Sequence, residues 1–370
     1  MDKIEKKRVS HYQLVCGEND DQRRLGYIDI SKGLGMLTIV WGHICLTGFS
    51  NHIVYSFHIP LFFFLSGLVF LPKRYSNFSV LLKKRLKGLL IPYAVYSILT
   101  WIIWVVYSFA IHAKVDNYWM PLIETFFAQG SEGYLVHNVP LWFVTCLFSV
   151  EIIYWFLSKL KDWANILLCV MLCGFGVLST KVTFFDFSTL PWSLDVALMA
   201  LPFYCAGSLL AKYVPYKKQV EAVGNNRTLS MGLFVVASVV VCLGAKYNGQ
   251  VSMGHASLGH SPWMFYGTAS FGVLGLLILS VSLSFFDSNL VNGVKWIGRN
   301  SFRVMAVHNP IKGIVIIIIA ELLRTDTVFS INYNVPQSLI AYGVTLIVTF
   351  FVVYIIERLL WVSFKRNTLF

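Results

Sequence analysis

The chain has 370 residues, 56% of them hydrophobic, 16% aromatic and only 13% charged, against roughly 25% charged in an ordinary soluble domain. With a mean hydropathy of +0.66, this excludes a soluble globular protein and leaves no length for a large soluble domain. The formal net charge of +12 does not point to nucleic acid, because the basic residues sit in short loops between apolar runs rather than on one polar basic face.

Residues 1–25 read as a polar cytoplasmic tail without the pattern of a cleavable leader, so the first span is expected to direct insertion. Ten apolar stretches follow, at about 33–49, 54–71, 89–111, 140–157, 163–180, 193–211, 229–245, 263–285, 302–320 and 338–361. A span needs about 20 mostly apolar residues, which makes the first two short. The expected fold is all-α: one polytopic integral membrane helical bundle over residues 1–370, with about 10 transmembrane helices. Alternating the loops between two sides puts 25 of the 30 Lys and Arg on one side. The other side receives only Lys114, Lys181, Lys246 and Arg324, and Lys312 falls inside a span. Both termini are therefore expected in the cytoplasm.

The first stretch contains IDISKGLGMLTIVWGH, with Lys32 and His43 eleven residues apart. On a helix, eleven steps of about 100° return to within about 20° of the start, so both side chains share one stripe about 16 Å long. An ionisable ring in hydrocarbon is costly and marks a candidate functional residue. Asp29 either pairs with Lys32, three residues on, or is an ordinary interfacial charge.

The first two spans form a hairpin with an outer turn at about Gly48 to Val54. His43 precedes that turn and His58 follows it, so the two imidazoles are expected at similar depth on adjacent helices. Facing imidazoles suit proton transfer near neutral pH. The alternative is that each ring only bridges two helices through hydrogen bonds.

The cluster Lys83-Lys84-Arg85-Lys87 precedes Ile91-Pro92-Tyr93. It serves as a topological anchor, and Lys84, Arg85 and Lys87 also suit a clamp on a polyanionic nucleotide. Neither a Walker lysine motif nor GxGxxG occurs, which removes hydrolysable nucleotides and dinucleotides from consideration.

The outer loop at about 112–139 carries Tyr118, Trp119, Phe126, Phe127 and Tyr134, read as interfacial anchors or as a sugar platform. Glu151 lies mid-span in PLWFVTCLFSVEIIYW. A buried carboxylate needs a partner, and a histidine or lysine across the bundle is expected. In WIGRNSFRVMAVHNP, Asn300 and His308, with Lys312 a turn further, make a second polar stripe, for which a water-filled cavity is the economical explanation.

The seven cysteines fall mostly inside apolar runs without metal-type spacing. His255 and His260 in HASLGH have no third ligand nearby. No metal is expected.

Together the blocks IDISKGLGMLTIVWGH, SFHIPLFFFLSG, RLKGLLIPY, PLWFVTCLF, DVALMALPFYCAG and IGRNSFRVMAVH resemble the membrane-bound acyltransferase-3 family. The nearest resemblance is to its fucose 4-O-acetylase-like branch, which modifies surface carbohydrates of bacteria. The family's pattern of a basic residue ten positions before a histidine falls on Lys32 and His43. Its basic RxxR-type loop falls on Lys84 to Lys87, with Arg85 between, and lysine lacks a planar bidentate grip on phosphate.

The resemblance implies a multi-pass protein of the bacterial plasma membrane that moves an acetyl group from cytosolic acetyl-CoA to a hydroxyl of a surface or lipid-linked glycan. Lys32, with Asp29 beside it, and the 83–87 cluster would meet the CoA phosphates. His43 would act as general base or acyl carrier, oriented by His58 or Glu151. A transporter or flippase is the competing reading of the same intramembrane polar groups, although the internal repeat common in transporters is not visible.

Overall fold

The computed structural model describes residues 25–45, 48–130, 134–180, 190–323 and 335–367, with side chains as far as residue 359. Among the described residues the regular structure is helical, without strands; an isolated β-bridge pairs Ser252 with Ser257. The helices are α1 (Gly26–Ile44), α2 (Phe49–Tyr55), α3 (His58–Leu68), α4 (Phe78–Arg85), α5 (Ile91–Ala110), α6 (Met120–Phe127), α7 (Trp142–Leu157) and α8 (Asp162–Ser179). They continue as α9 (Leu194–Tyr213), α10 (Tyr216–Asn225), α11 (Arg227–Asn248), α12 (Pro262–Ser284), α13 (Asn289–Arg299), α14 (Ser301–Leu323) and α15 (Val335–Asn367).

Eight helical segments among the described residues are long and apolar enough to cross a membrane, by length and composition. The first two of the ten expected stretches are not among them, for two different reasons. Helix α1 is 19 residues long, but its polar residues lower its hydropathy. The bundle houses it instead: Tyr27, Ile30, Val40 and Ile44 are fully buried. The second stretch is expected as one helix from about residue 54, yet the chain breaks at Ser56–Phe57 into a 7-residue and an 11-residue helix. His58 thereby becomes the first residue of α3.

Local sequence sets several starts. Asn77, Asn226 and Ser288 each accept a hydrogen bond from the backbone N–H three residues on, capping α4, α11 and α13. Between α4 and α5 the helix widens into a π-turn at Leu86–Leu90, immediately after the basic cluster.

Two crossings bring backbones into direct contact. Gly67 of α3 faces the Tyr204 carbonyl of α9, while Gly207 of α9 faces that of Phe64, so a Cβ at either glycine overlaps backbone. Gly33 and Gly298 do the same for α1 and α13. Around α9, Val196 to Leu201 are all buried with Phe63, Leu65 and Tyr154, forming the largest core cluster.

Pro310 in α14 and Pro202 in α9 each lack the N–H that closes a helical turn. The carbonyl released by Pro310, that of Ala306, accepts from Asn138 Nδ2 at 2.7 Å. Next to the carbonyl released by Pro202, that of Met199 accepts from the Tyr266 hydroxyl at 2.9 Å.

Candidate active site

Lys32, Met36, Ile39 and His43 follow one another at steps of four, three and four residues, and all four line a single cavity. That spacing is one face of a helix, so the stripe read from the sequence is a cavity wall. Ile59, Phe62 and Ser66 of α3 face it, and Trp142, Phe143 and Leu147 of α7 form another side. Ser301, Phe302 and Met305 of α14, with Leu89 from the π-turn, complete it. The cavity has a volume of about 180 Å³ and is partly open to solvent. The walls are mainly apolar, as in ligand pockets that fix orientation with a few polar groups.

The end of α1 that carries His43 is fixed by α2. Asn51 Nδ2 donates to the carbonyls of Gly42 at 3.3 Å and Cys45 at 3.1 Å, satisfying terminal acceptors that a helix leaves open. Beside it, the His43 and His308 rings lie 5.3 Å apart at 45°. His308 Nδ1 lies 2.8 Å from the Met305 carbonyl and 3.1 Å from that of Val304. A carbonyl only accepts, so Nδ1 carries the proton, and the buried Nε2 is left with no hydrogen-bond partner among the described residues. His58 is held in the same way by the Val54 carbonyl at 2.5 Å, with the Tyr55 ring edge-on to it. His58 and Lys312 are both close enough to act electrostatically on His43.

At the other end of α1, Asp29 Oδ2 accepts from Arg299 Nε of α13 at 3.1 Å. Asn300 does not line the cavity. It is buried at the joint between α13 and α14, where its Nδ2 donates to the Trp296 carbonyl at 3.2 Å and its Oδ1 accepts from Arg303.

Glu151 is not among the residues that line the cavity. Its partner is Arg85, Nε to Oε2 at 2.6 Å, rather than the expected histidine or lysine, and the Tyr204 hydroxyl donates to Oε1 at 3.4 Å. The π-turn and the basic cluster thus fold back against α7 and bring in an arginine that the sequence places in a loop. Arg85 and Lys84 flank the Tyr75 ring at 5.5 and 5.2 Å, and Lys84 and Lys87 are exposed.

Sequence reasoning passed over His137 and Asn138. Both are buried, and among the described residues the two ring nitrogens of His137 and Oδ1 of Asn138 have no hydrogen-bond partner. They lie just before Pro140 and Trp142 of the cavity wall. Burial lowers the pKa of His137 to about 4. A single polar pair in an aromatic loop carries no periodic signal, so only the fold reveals it.

The fold and the cavity define a polytopic helical membrane protein with Lys32 and His43 on the wall of a mainly apolar cavity. The acyltransferase domain model of the acyltransferase-3 family matches residues 25–358, nearly the whole chain, and the chain belongs to this family of membrane acyltransferases. No curated protein and no solved structure matches it.

Proposed function

We propose that the protein transfers an acetyl group from cytosolic acetyl-CoA to a hydroxyl of a cell-surface or lipid-linked glycan, as expected of the fucose 4-O-acetylase-like branch. The observation that carries this reading is the Lys32–Met36–Ile39–His43 face on one cavity. The basic loops face the bacterial cytosol in this reading, which puts Lys32 at the donor's mouth and His43 toward the outer half of the membrane.

In the reaction, Lys32 and the exposed Lys84 and Lys87 hold the CoA phosphates by charge. The pantetheine arm lies along the apolar wall between Lys32 and His43. His43 accepts the proton of the glycan hydroxyl as its oxygen attacks the thioester carbonyl. The new C–O bond forms, the C–S bond breaks, and the proton on His43 passes to the departing CoA thiolate. In the acyl-carrier variant, a His43 nitrogen attacks the thioester carbonyl first, a C–N bond forms and the C–S bond breaks to release CoA thiolate; the glycan oxygen then takes the acetyl group as the C–N bond breaks, and the hydroxyl proton passes to the thiolate.

Mass spectrometry of the surface polysaccharide from cells with the protein, without it, and with His43→Ala tests the reading. The expected result is one acetyl group per repeat in the first and none in the other two. Full O-acetylation with a well-expressed His43→Ala protein, or in its absence, overturns it.

A further inference from the structure

The His43–His308 contact belongs to no step described so far. His308 is fully buried, and its Nδ1–H is spent on the carbonyls of Val304 and Met305 in its own helix. The two nitrogens of an imidazole point in different directions, so binding Nδ1 to the helix backbone turns Nε2 away from it. That nitrogen can only accept, and no described group donates to it. The large majority of buried side-chain polar atoms in folded proteins are paired, so a lone acceptor packed against another imidazole calls for a donor.

A neutral His43 has one N–H and one lone pair. Its ring is in direct contact with that of His308 across the α1–α14 interface, and it also lines the cavity. We propose that His308 is the positioning residue of His43: the two rings are in contact but not hydrogen-bonded in this structure, and a rotation of the His43 side chain brings its N–H onto Nε2 of His308, so that His43 turns its lone pair to the cavity. Without that acceptor, either tautomer of His43 is available, and the protonated nitrogen facing the hydroxyl is inert as a base. When His43 takes the substrate proton, its second N–H remains directed at His308 Nε2, which stabilises the imidazolium.

Two other titratable groups face the pair. Lys312, one turn along α14 from His308, acts electrostatically on both rings, and His58 of α3 acts on His43. His58 has its own Nδ1 tied to Val54, so it too has a fixed tautomer. Its described ring partner is Tyr55, whereas the ring against His43 is His308.

The inference rests on the acetyl-transfer reading for its rates, but not for its tautomer. The test uses the full-length protein in lipid nanodiscs, with acetyl-CoA and surface polysaccharide from which O-acetyl groups have been removed. His308→Ala is expected to lower kcat by about 10²- to 10⁴-fold, the range spanned by loss of a general base's function or orientation, with the KM for acetyl-CoA unchanged. His308→Gln presents an amide oxygen that can accept the same N–H, and should recover at least tenfold of the lost rate. Nitrogen-15 histidine NMR should show His43 as one tautomer in the wild type and in His308→Gln, and as a mixture in His308→Ala.

Wild-type kcat in His308→Ala overturns the assignment, as does a His43 tautomer unaffected by the substitution. Equal loss in both variants with raised KM indicates a packing role and also overturns it. If the wild type transfers nothing to the polysaccharide, the acetyl-transfer reading fails, while the tautomer measurement still decides the pairing of the two histidines.

Discussion

Arg85 reaches back from the end of α4 to place Nε 2.6 Å from Glu151 Oε2 on α7, tying the basic cluster to the bundle through one buried ion pair. The carboxylate is 5% exposed and the guanidinium 24%, so neither partner is well solvated alone. Removing one member of a buried pair strands the other charge, at a cost of about 3–5 kcal/mol, whereas replacing both with apolar residues is often neutral. Because Arg85 retains some solvent contact, Arg85→Ala is expected near the lower end, about 3 kcal/mol. Arg85→Met with Glu151→Leu should recover most of it. Thermal unfolding in detergent checks both, and a double variant as unstable as the single one refutes the pair's role.

Lys32 is the cation on the cavity face of α1. If it meets the donor's phosphates, Lys32→Ala removes one charge-assisted contact, worth about 1.5–3 kcal/mol. Acetyl-CoA affinity should then fall by about 10- to 100-fold, with acceptor KM unchanged. Calorimetric titration of acetyl-CoA into the purified variant measures this directly, and an unchanged Kd removes Lys32 from the donor site.

The Lys32–His43 stripe was legible because both residues lie on one regular helix, where spacing alone fixes direction. The apolar stretches were legible for the same reason, being long-range averages of composition. The break at Ser56–Phe57 was not, since no glycine or proline lies at the break and Pro60 follows only two residues after His58. Nor were the partners: Arg85 for Glu151, Arg299 for Asp29 and His308 for His43 are separated by 66, 270 and 265 positions in the sequence. Such pairings arise from helix packing, which one sequence does not encode locally.

Asn138 and Pro310 form a matched pair that packing alone created. Pro310 removes the donor for the Ala306 carbonyl, and the Asn138 amide supplies one from another segment. Asn138→Ala should leave that carbonyl buried and unpaired, costing about 1–3 kcal/mol. In the Pro310→Ala background the helix can supply its own N–H, so the same Asn138→Ala change should cost markedly less. Unfolding midpoints of the four proteins form a double-mutant cycle, and strict additivity would reject the coupling.

His137 gives the loop before α7 a pH dependence of definite sign. Its ring titrates at about 4 in the folded protein and at about 6.5 when unfolded. The unfolded chain therefore binds the extra proton first as pH falls, and the folded state loses stability between about 6.5 and 4. Above 6.5 neither state is protonated, and the contribution is absent. At pH 5 the loss attributable to this ring is about 2 kcal/mol. His137→Gln removes the titration, so its stability difference between pH 7 and pH 5 should be about 2 kcal/mol smaller than that of the wild type. Hydrogen exchange of residues 134–141 at the two pH values should show the same contrast locally. If wild type and variant lose equal protection on acidification, His137 is not held neutral by the fold.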